Sequence, residues 1–212
     1  MDGARWGGLV ARAAAPAGGE RRLLGVCGPP GAGKSTLARA LADAMGRRAV
    51  VVPMDGFHLA QAELRRLGRA DRKGAPDTFD ADGYVALLRR LRRRCEPVVY
   101  APEFRRDIEE PVAGAIPVPR DVSLVITEGN YLLLDDGPWA PIRGLLDDAW
   151  YLDADEDARV AALIRRHERY GRTPEAARRF ALGSDQRNAE RVAAARGHAD
   201  LVIPGWAPVP GR

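Results

Sequence analysis

One short run, CGPPGAGKSTL at residues 27–37, constrains this chain more than any other stretch. From Gly28 to Ser35 it satisfies the pattern G-x-x-x-x-G-K-[ST], and its flanks suit it. The preceding RRLLGVC ends in a short apolar run suited to a buried strand. The following STLARALADAM has leucine and alanine at helical spacing, with no breaker before Gly46. A strand, a glycine-rich turn and a helix in that order build an anion cradle. The glycines let successive N–H groups point inward, and the helix adds its positive end. The triphosphate contacts predicted from this motif are Gly28, Gly31, Ala32, Gly33, Lys34, Ser35 and Thr36, with Lys34 neutralising the β/γ-phosphates and the Ser35 hydroxyl ligating Mg²⁺. Only two of the 33 basic side chains are lysine, so a lysine at this place is no routine surface charge.

The pattern of strands and helices extends the same architecture. AVVVPM (residues 49–54) reads as a β-branched strand that stops at Asp55, and DVSLVITEG (121–129) as an apolar strand ending in Glu128. AWYLDA (149–154) and DLVIPG (200–205) are two further strands. LAQAELRRLG, YVALLRRLRRRC, DEDARVAALIRRHERYG and the long TPEAARRFALGSDQRNAERVAAARG read as helices. PVVYAPEF is a strand leading into a loop, and AGAIPVPRDVS a small hairpin outside the main sheet. Alternation of this kind predicts an α/β fold: a doubly wound, mostly parallel sheet in three layers, α/β/α. At 212 residues one domain is expected over 1–212, with its core at about 22–204.

Composition removes several alternatives. No run approaches the ~20 apolar residues that a bilayer crossing requires, and the first 20 residues lack the apolar core of a signal peptide. With only Cys27 and Cys95 present, no disulfide framework is expected, and the predicted location is cytoplasmic. A net charge of +4 permits an anionic ligand. The arginines of YVALLRRLRRRC lie opposite Tyr84, Leu87, Leu88 and Leu91, so they read as the solvated face of an amphipathic helix rather than a nucleic-acid patch. No membrane or nucleic-acid partner is predicted. No two histidines or cysteines have metal-ligand spacing for zinc, and Cys27 reads as a small buried filler.

In open parallel sheets ligands bind beyond the carboxyl ends of the strands. Asp55 and Glu128 should therefore face the crevice that holds the glycine-rich turn. Asp55 is placed to accept a proton from a hydroxyl attacking a γ-phosphate, and Glu128 to order Mg²⁺ directly or through water. Residues 160–175 have the character of a lid, with Arg165, Arg166, Arg169 and Arg172 ahead of or beside Gly171. Arg165, Arg169 and Arg172 fall at i, i+4 and i+7, and Arg169 and Arg172 are the predicted catalytic pair. Candidate acceptor contacts are His58, Tyr100, Glu103, Arg105, Asn130 and Tyr131, most of them just after strand ends.

The ordered series GPPGAGKSTLA, VVVPMDGFH, RKGAPDTFD, VVYAPEFRRD and LVITEGNYLLL resembles the phosphoribulokinase/uridine kinase family over roughly residues 22–204. The resemblance implies a P-loop kinase using ATP and Mg²⁺ on a hydroxyl of a small metabolite, with Asp55 as the catalytic carboxylate and Glu128 as the metal-organising acid. Uridine kinases carry Asp-His-Pro-Asp where this chain has Gly74-Ala75-Pro76-Asp77, which points away from a nucleoside acceptor. RKGAPDTFD and the Asp55-Gly56-Phe57 run are similar to bacterial type I pantothenate kinase, but Tyr100 is followed by Ala101-Pro102 where that group has Ser-His. The chain most resembles the branch described as nucleoside/nucleotide kinase-like, some members of which are linked to sugar uptake. Sugar, pantothenate-like acid and nucleoside stay open as acceptors, in that order, and a homodimer is possible because relatives often pair. The rival reading is a nucleotide-dependent regulatory ATPase, for which Asp55 and the polar segment 69–82 would be surplus.

Overall fold

The computed structural model describes residues 2–15 and 21–204. Five parallel strands form the central sheet: β1 (Arg22–Cys27), β2 (Ala49–Pro53), β5 (Leu124–Gly129), β6 (Asp148–Asp153) and β7 (Leu201–Pro204), in the order β2-β5-β1-β6-β7. Between them run α2 (Lys34–Met45), α3 (Gln61–Arg66), α4 (Ala81–Arg93), α5 (Glu156–Arg169), α6 (Pro174–Phe180) and α7 (Gln186–Ala194). This is the doubly wound three-layer sheet that the strand–helix alternation predicts.

Both faces of the sheet are buried, so its strands are continuous apolar runs rather than alternating ones. Alternate side chains nevertheless serve different layers. Leu23, Cys27, Val125, Ala149 and Tyr151 join one core with α4 and α7. Leu24, Val26, Leu124, Ile126, Trp150 and Leu152 join the other with α2. On α4, Leu87, Leu88 and Leu91 are all buried, and each such side chain contributes roughly 1.5–3 kcal/mol relative to exposure. The opposite face pairs Arg90 with Glu96 and Arg92 with Asp147, as expected of a solvated arginine face.

Three features depart from the sequence reading. An additional helix, α1 (Gly3–Ala13), lies ahead of the expected core. Asp2 caps it by accepting from the Arg5 amide at 2.8 Å, Leu9 and Ala13 bury in the α2-side core, and Arg12 makes two bonds to buried Asp148 at 2.8 and 2.9 Å. Its glycines hid it, since they carry poor helix propensity. The second departure is the hairpin. PVVYAPEF and AGAIPVPRDVS are not a separate strand and hairpin; they are the two legs of one antiparallel ribbon, β3 (Val98–Arg105) and β4 (Glu110–Pro119), outside the main sheet. Buried Arg21 anchors the far end of β4 by donating to the carbonyls of Val122, Leu91 and Pro119. Thirdly, the long helix expected across TPEAARRFALGSDQRNAERVAAARG does run without a break as α6 and α7, but one π turn, Ala181–Asp185, a feature often found at functional sites, interrupts its α-helical winding. The end of the predicted last strand, at 205, lies outside the described residues, where β7 is seen to Pro204. Among the described residues, no helix is long and apolar enough to cross a membrane.

Candidate active site

The glycine-rich turn follows β1 directly and ends as the cap of α2. Gly33 is that cap, and its φ of 87° is a left-handed conformation that favours glycine. Gly31 has φ 84°, and a Cβ there would lie 2.8 Å from Leu163 and 2.9 Å from the Arg159 carbonyl. The turn is thus seated against α5, where the buried Arg159 guanidinium lies 3.4 Å from the Pro30 carbonyl and 2.5 Å from Gln186 Oε1.

Strand register brings the acids to this turn. Glu128, the penultimate residue of β5, is level with Val26 of β1 and Pro53 of β2. Asp55 follows two residues beyond Pro53, on a single 3₁₀ turn. As a result Gly31, Gly33, Lys34, Ser35, Thr36, Asp55 and Glu128 line one cleft of about 590 Å³. Ser35 Oγ donates to Glu128 Oε1 at 2.7 Å. Lys34 Nζ donates to the Pro29 carbonyl at 3.0 Å and to Asn130 Oδ1 at 2.6 Å. Burial pushes Lys34 below its ordinary value, with Glu128 and Asp55 opposing that push. Its hydrogen bonds go to neutral oxygens rather than to a carboxylate, so no direct ion pair competes with an anionic visitor.

Asp55 and Glu128 are driven in opposite directions. Burial alone would raise Asp55, but His58, Arg106, Lys34 and Arg166 hold it below the usual carboxylate range. Glu128 is raised, by burial first and by the Asp55 charge second, against Lys34 and the Ser35 hydrogen bond. A pair of carboxylates pushed apart in this way is a common mark of an acid–base site. Ser35 and Glu128 together offer two hard oxygen donors beside the turn, which suits Mg²⁺, an ion that takes one or two protein ligands plus phosphate and water. A cation there would also relieve the charge that burial penalises on Glu128.

That penalty has a measurable consequence. A carboxyl raised on folding retains a proton that the unfolded chain has lost, so stability falls as pH rises from the ordinary carboxylate value through the raised one. Glu128→Gln removes the charge while its Oε1 still accepts from Ser35. The variant should melt at a higher temperature than wild type near pH 7 without nucleotide, yet bind Mg²⁺-nucleotide less well. A lower Tm by calorimetry would contradict the assignment.

The remaining predicted residues divide. His58 lines the cleft, with Nδ1 2.8 Å from the Asp55 carbonyl and its ring between Phe79 and Phe104. Asn130 and Arg172 line it too, the latter 4.2 Å over the Phe180 ring. Five predicted acceptor or lid contacts lie elsewhere. Tyr100 is 58% exposed on the ribbon. Arg105 is an exposed partner of Asp107. Tyr131 is core, packed edge-on against Phe79 and Trp139, with its hydroxyl donating to the Gly74 carbonyl. Arg169 is not among the residues around the cleft. Glu103 is likewise exposed.

Their places are taken by neighbours. Arg106 faces the cleft and meets Asp55 Oδ2 at 3.1 Å. The ribbon register shifts between Ala101 and Glu103, and a bulge there reverses which alternate residues point inward. Val99 and Ala101 are buried before the shift; Phe104 and Arg106 face inward after it. Gly56 permits this, since a Cβ on it would lie 2.3 Å from the Pro102 carbonyl. On α5 the phase is fixed by buried Arg159 and Leu163, so Arg166, His167 and Tyr170 turn to the cleft. Burial and Arg106 push Arg166 below its ordinary value. That phase was written in the spacing of Leu163, whereas the i, i+4, i+7 arginine series follows another face. Cys27 is buried, as its sequence position suggested, and burial pushes its thiol up to about 11.

The family model for the phosphoribulokinase/uridine kinase family matches residues 23–207. The chain belongs to that family. Among its relatives, the "Putative uridine kinase C227.14" of Schizosaccharomyces pombe is 38% identical over 70% of this chain and 67% of its own length. The "ATP-dependent kinase-like protein notR'" of Aspergillus versicolor is 34% identical over 72% of this chain and 94% of its own. A solved structure described as a "putative fructose transport system kinase from Silicibacter sp. TM1040" superposes with a TM-score of 0.85 at 38% identity, covering 96% of this chain and all of that one. The chain is thus a kinase-family member on a P-loop kinase fold.

Proposed function

We propose that this chain transfers the γ-phosphate of ATP, with Mg²⁺, to a hydroxyl of a small metabolite, a sugar or related alcohol being favoured. The observation that carries the reading is Asp55, a carboxylate held ionised in the same cleft as the phosphate-cradling turn and Lys34. A protein that only hydrolysed or sensed nucleotide would need the turn but not this second acid and its arginine. The family membership and the relatives' kinase names support the same chemistry.

Each group then has a physical task. The amides of the turn and Lys34 hold the phosphate chain and offset its charge. Bound Mg²⁺ would supply further charge neutralisation, with Ser35 and Glu128 as its holders. Asp55 orients the acceptor O–H and takes its proton as the oxygen bonds to the γ-phosphorus and the bond to the ADP oxygen breaks. Arg106 keeps Asp55 ionised until the acceptor binds. Arg166 and Arg172, from α5 and the segment beyond Gly171 (φ 91°), are placed to meet charge in transit and exclude water. Two arginines of α4, Arg90 and Arg92, are spent on surface pairs, which disfavours a nucleic-acid role for that helix.

The test is acceptor dependence. ADP release from Mg²⁺-ATP, measured against sugars, polyols, nucleosides and pantothenate, should be slow alone and rise sharply with one class. Equal release with and without every hydroxyl compound would favour the regulatory ATPase.

A further inference from the structure

The chain's other lysine, Lys73, lines the same cleft as Lys34. It comes from the turn-rich segment ahead of α4, and its side chain is only 15% exposed. Nζ donates to the Glu109 backbone carbonyl at 2.6 Å and sits 4.9 Å from the centroid of Phe104. The Arg106 guanidinium lies 5.6 Å from that same ring. Two cations are therefore gathered around one aromatic ring in a partly desolvated cleft, where like charges repel most.

The acids nearby offset this arrangement only in part. Glu110 accepts from the Gln61 amide through both oxygens, capping α3. Glu109 is 55% exposed, with its carboxylate 3.8 Å from Lys73. Asp55 meets Arg106 but is committed to the acceptor proton under the reading above. His58, between Phe79 and Phe104, is pushed below its ordinary value by burial and supplies no negative charge. A turn could be pinned by any donor. A largely buried ammonium beside an arginine, beyond the catalytic carboxylate, is a recognition element.

We infer that Lys73 and Arg106 form an anion subsite for the acceptor, which is a hydroxy compound carrying a carboxylate or a phosphate. The hydroxyl meets Asp55 while the anionic group displaces Arg106 from Asp55 and bridges it to Lys73. This rests on the kinase reading and narrows it: sugar acids and sugar phosphates fit, and a neutral sugar leaves the two cations unmatched.

The subsite is tested with the nucleotide site filled. Wild-type protein is saturated with Mg²⁺ and a non-hydrolysable ATP analogue, then titrated by calorimetry with sulfate in one arm and with glycerate or gluconate in the other. The sulfate arm reports a phosphate-like group and the second a carboxylate. Binding should appear in at least one arm, weaken about tenfold or more in Lys73→Met, and largely return in Lys73→Arg, with affinity for the analogue unchanged. No anion binding to saturated wild type, or equal binding in Lys73→Met, overturns the subsite. So does faster phosphorylation of a neutral polyol than of its acid or phosphate counterpart. Anion binding that depends on Lys73, without transfer to any hydroxy acid or sugar phosphate, supports the subsite and removes the kinase reading instead.

Discussion

Asparagine at position 55 should cost about 10²–10⁴-fold in kcat, the range for loss of a positioned general base. The substitution keeps shape and removes both the proton acceptor and the charge that holds Arg106. On the proposed reading the turn and Lys34 make the ATP contacts, so the KM for ATP should stay close to wild type. Stability should change little. The Asp55–Arg106 pair is about one-third exposed on both sides, and such pairs contribute ~0–1 kcal/mol. Steady-state kinetics beside a thermal melt separate the outcomes. A fall in kcat at constant Tm supports the role, and parallel collapse of both would make Asp55 structural. Transfer at the wild-type rate would remove it from the mechanism.

Lys34→Met is the second large effect. Loss of one preorganised donor to developing charge costs on the order of 10²–10³-fold, and here the KM for ATP should also rise, since in the proposed mechanism Lys34 meets the phosphates in ground and transition states alike. The stability effect has the other sign. Because burial lowers Lys34 below its ordinary value, the folded chain is penalised for keeping it charged, and that penalty is present wherever pH lies below the ordinary lysine value. Methionine fills similar space without charge. The nucleotide-free variant should therefore melt no lower than wild type, by differential scanning calorimetry, while losing the melting increase that Mg²⁺-ATP gives. A clear destabilisation without nucleotide would mean that Lys34 holds the turn together instead of waiting for phosphate.

The sheet and the phosphate turn were legible because local rules determine them. A β-branched run ending in an acid, or a glycine pattern between strand and helix, carries its own register. Glu128 and Asp55 reached the cleft for that reason alone. The misplacements share a different cause: each depended on a phase set by distant packing. Tyr100 alternates with buried Val99 and Ala101 and so faces outward, while Arg105 is turned out by the bulge at Ala101/Glu103, beside which Pro102 meets Gly56, 46 positions away in sequence. Arg169 lost its place to Arg166 because Leu163 had already committed one face of α5 to Gly31. Tyr131 follows a strand end as an acceptor contact would, but the aromatic rings of Phe79 and Trp139 take it into the core. Lys73 was visible as a rarity in an arginine-rich chain; only the ribbon, folding Phe104 and Arg106 beside it, brings it to the cleft.

The most direct test follows the phosphorus. With γ-labelled ATP, Mg²⁺ and a matched set of neutral, carboxylated and phosphorylated hydroxy compounds, the label should move onto an acceptor oxygen in wild type and slow by the stated factor with asparagine at position 55. Label released only as inorganic phosphate, at one rate whether or not any alcohol is present, would contradict the account.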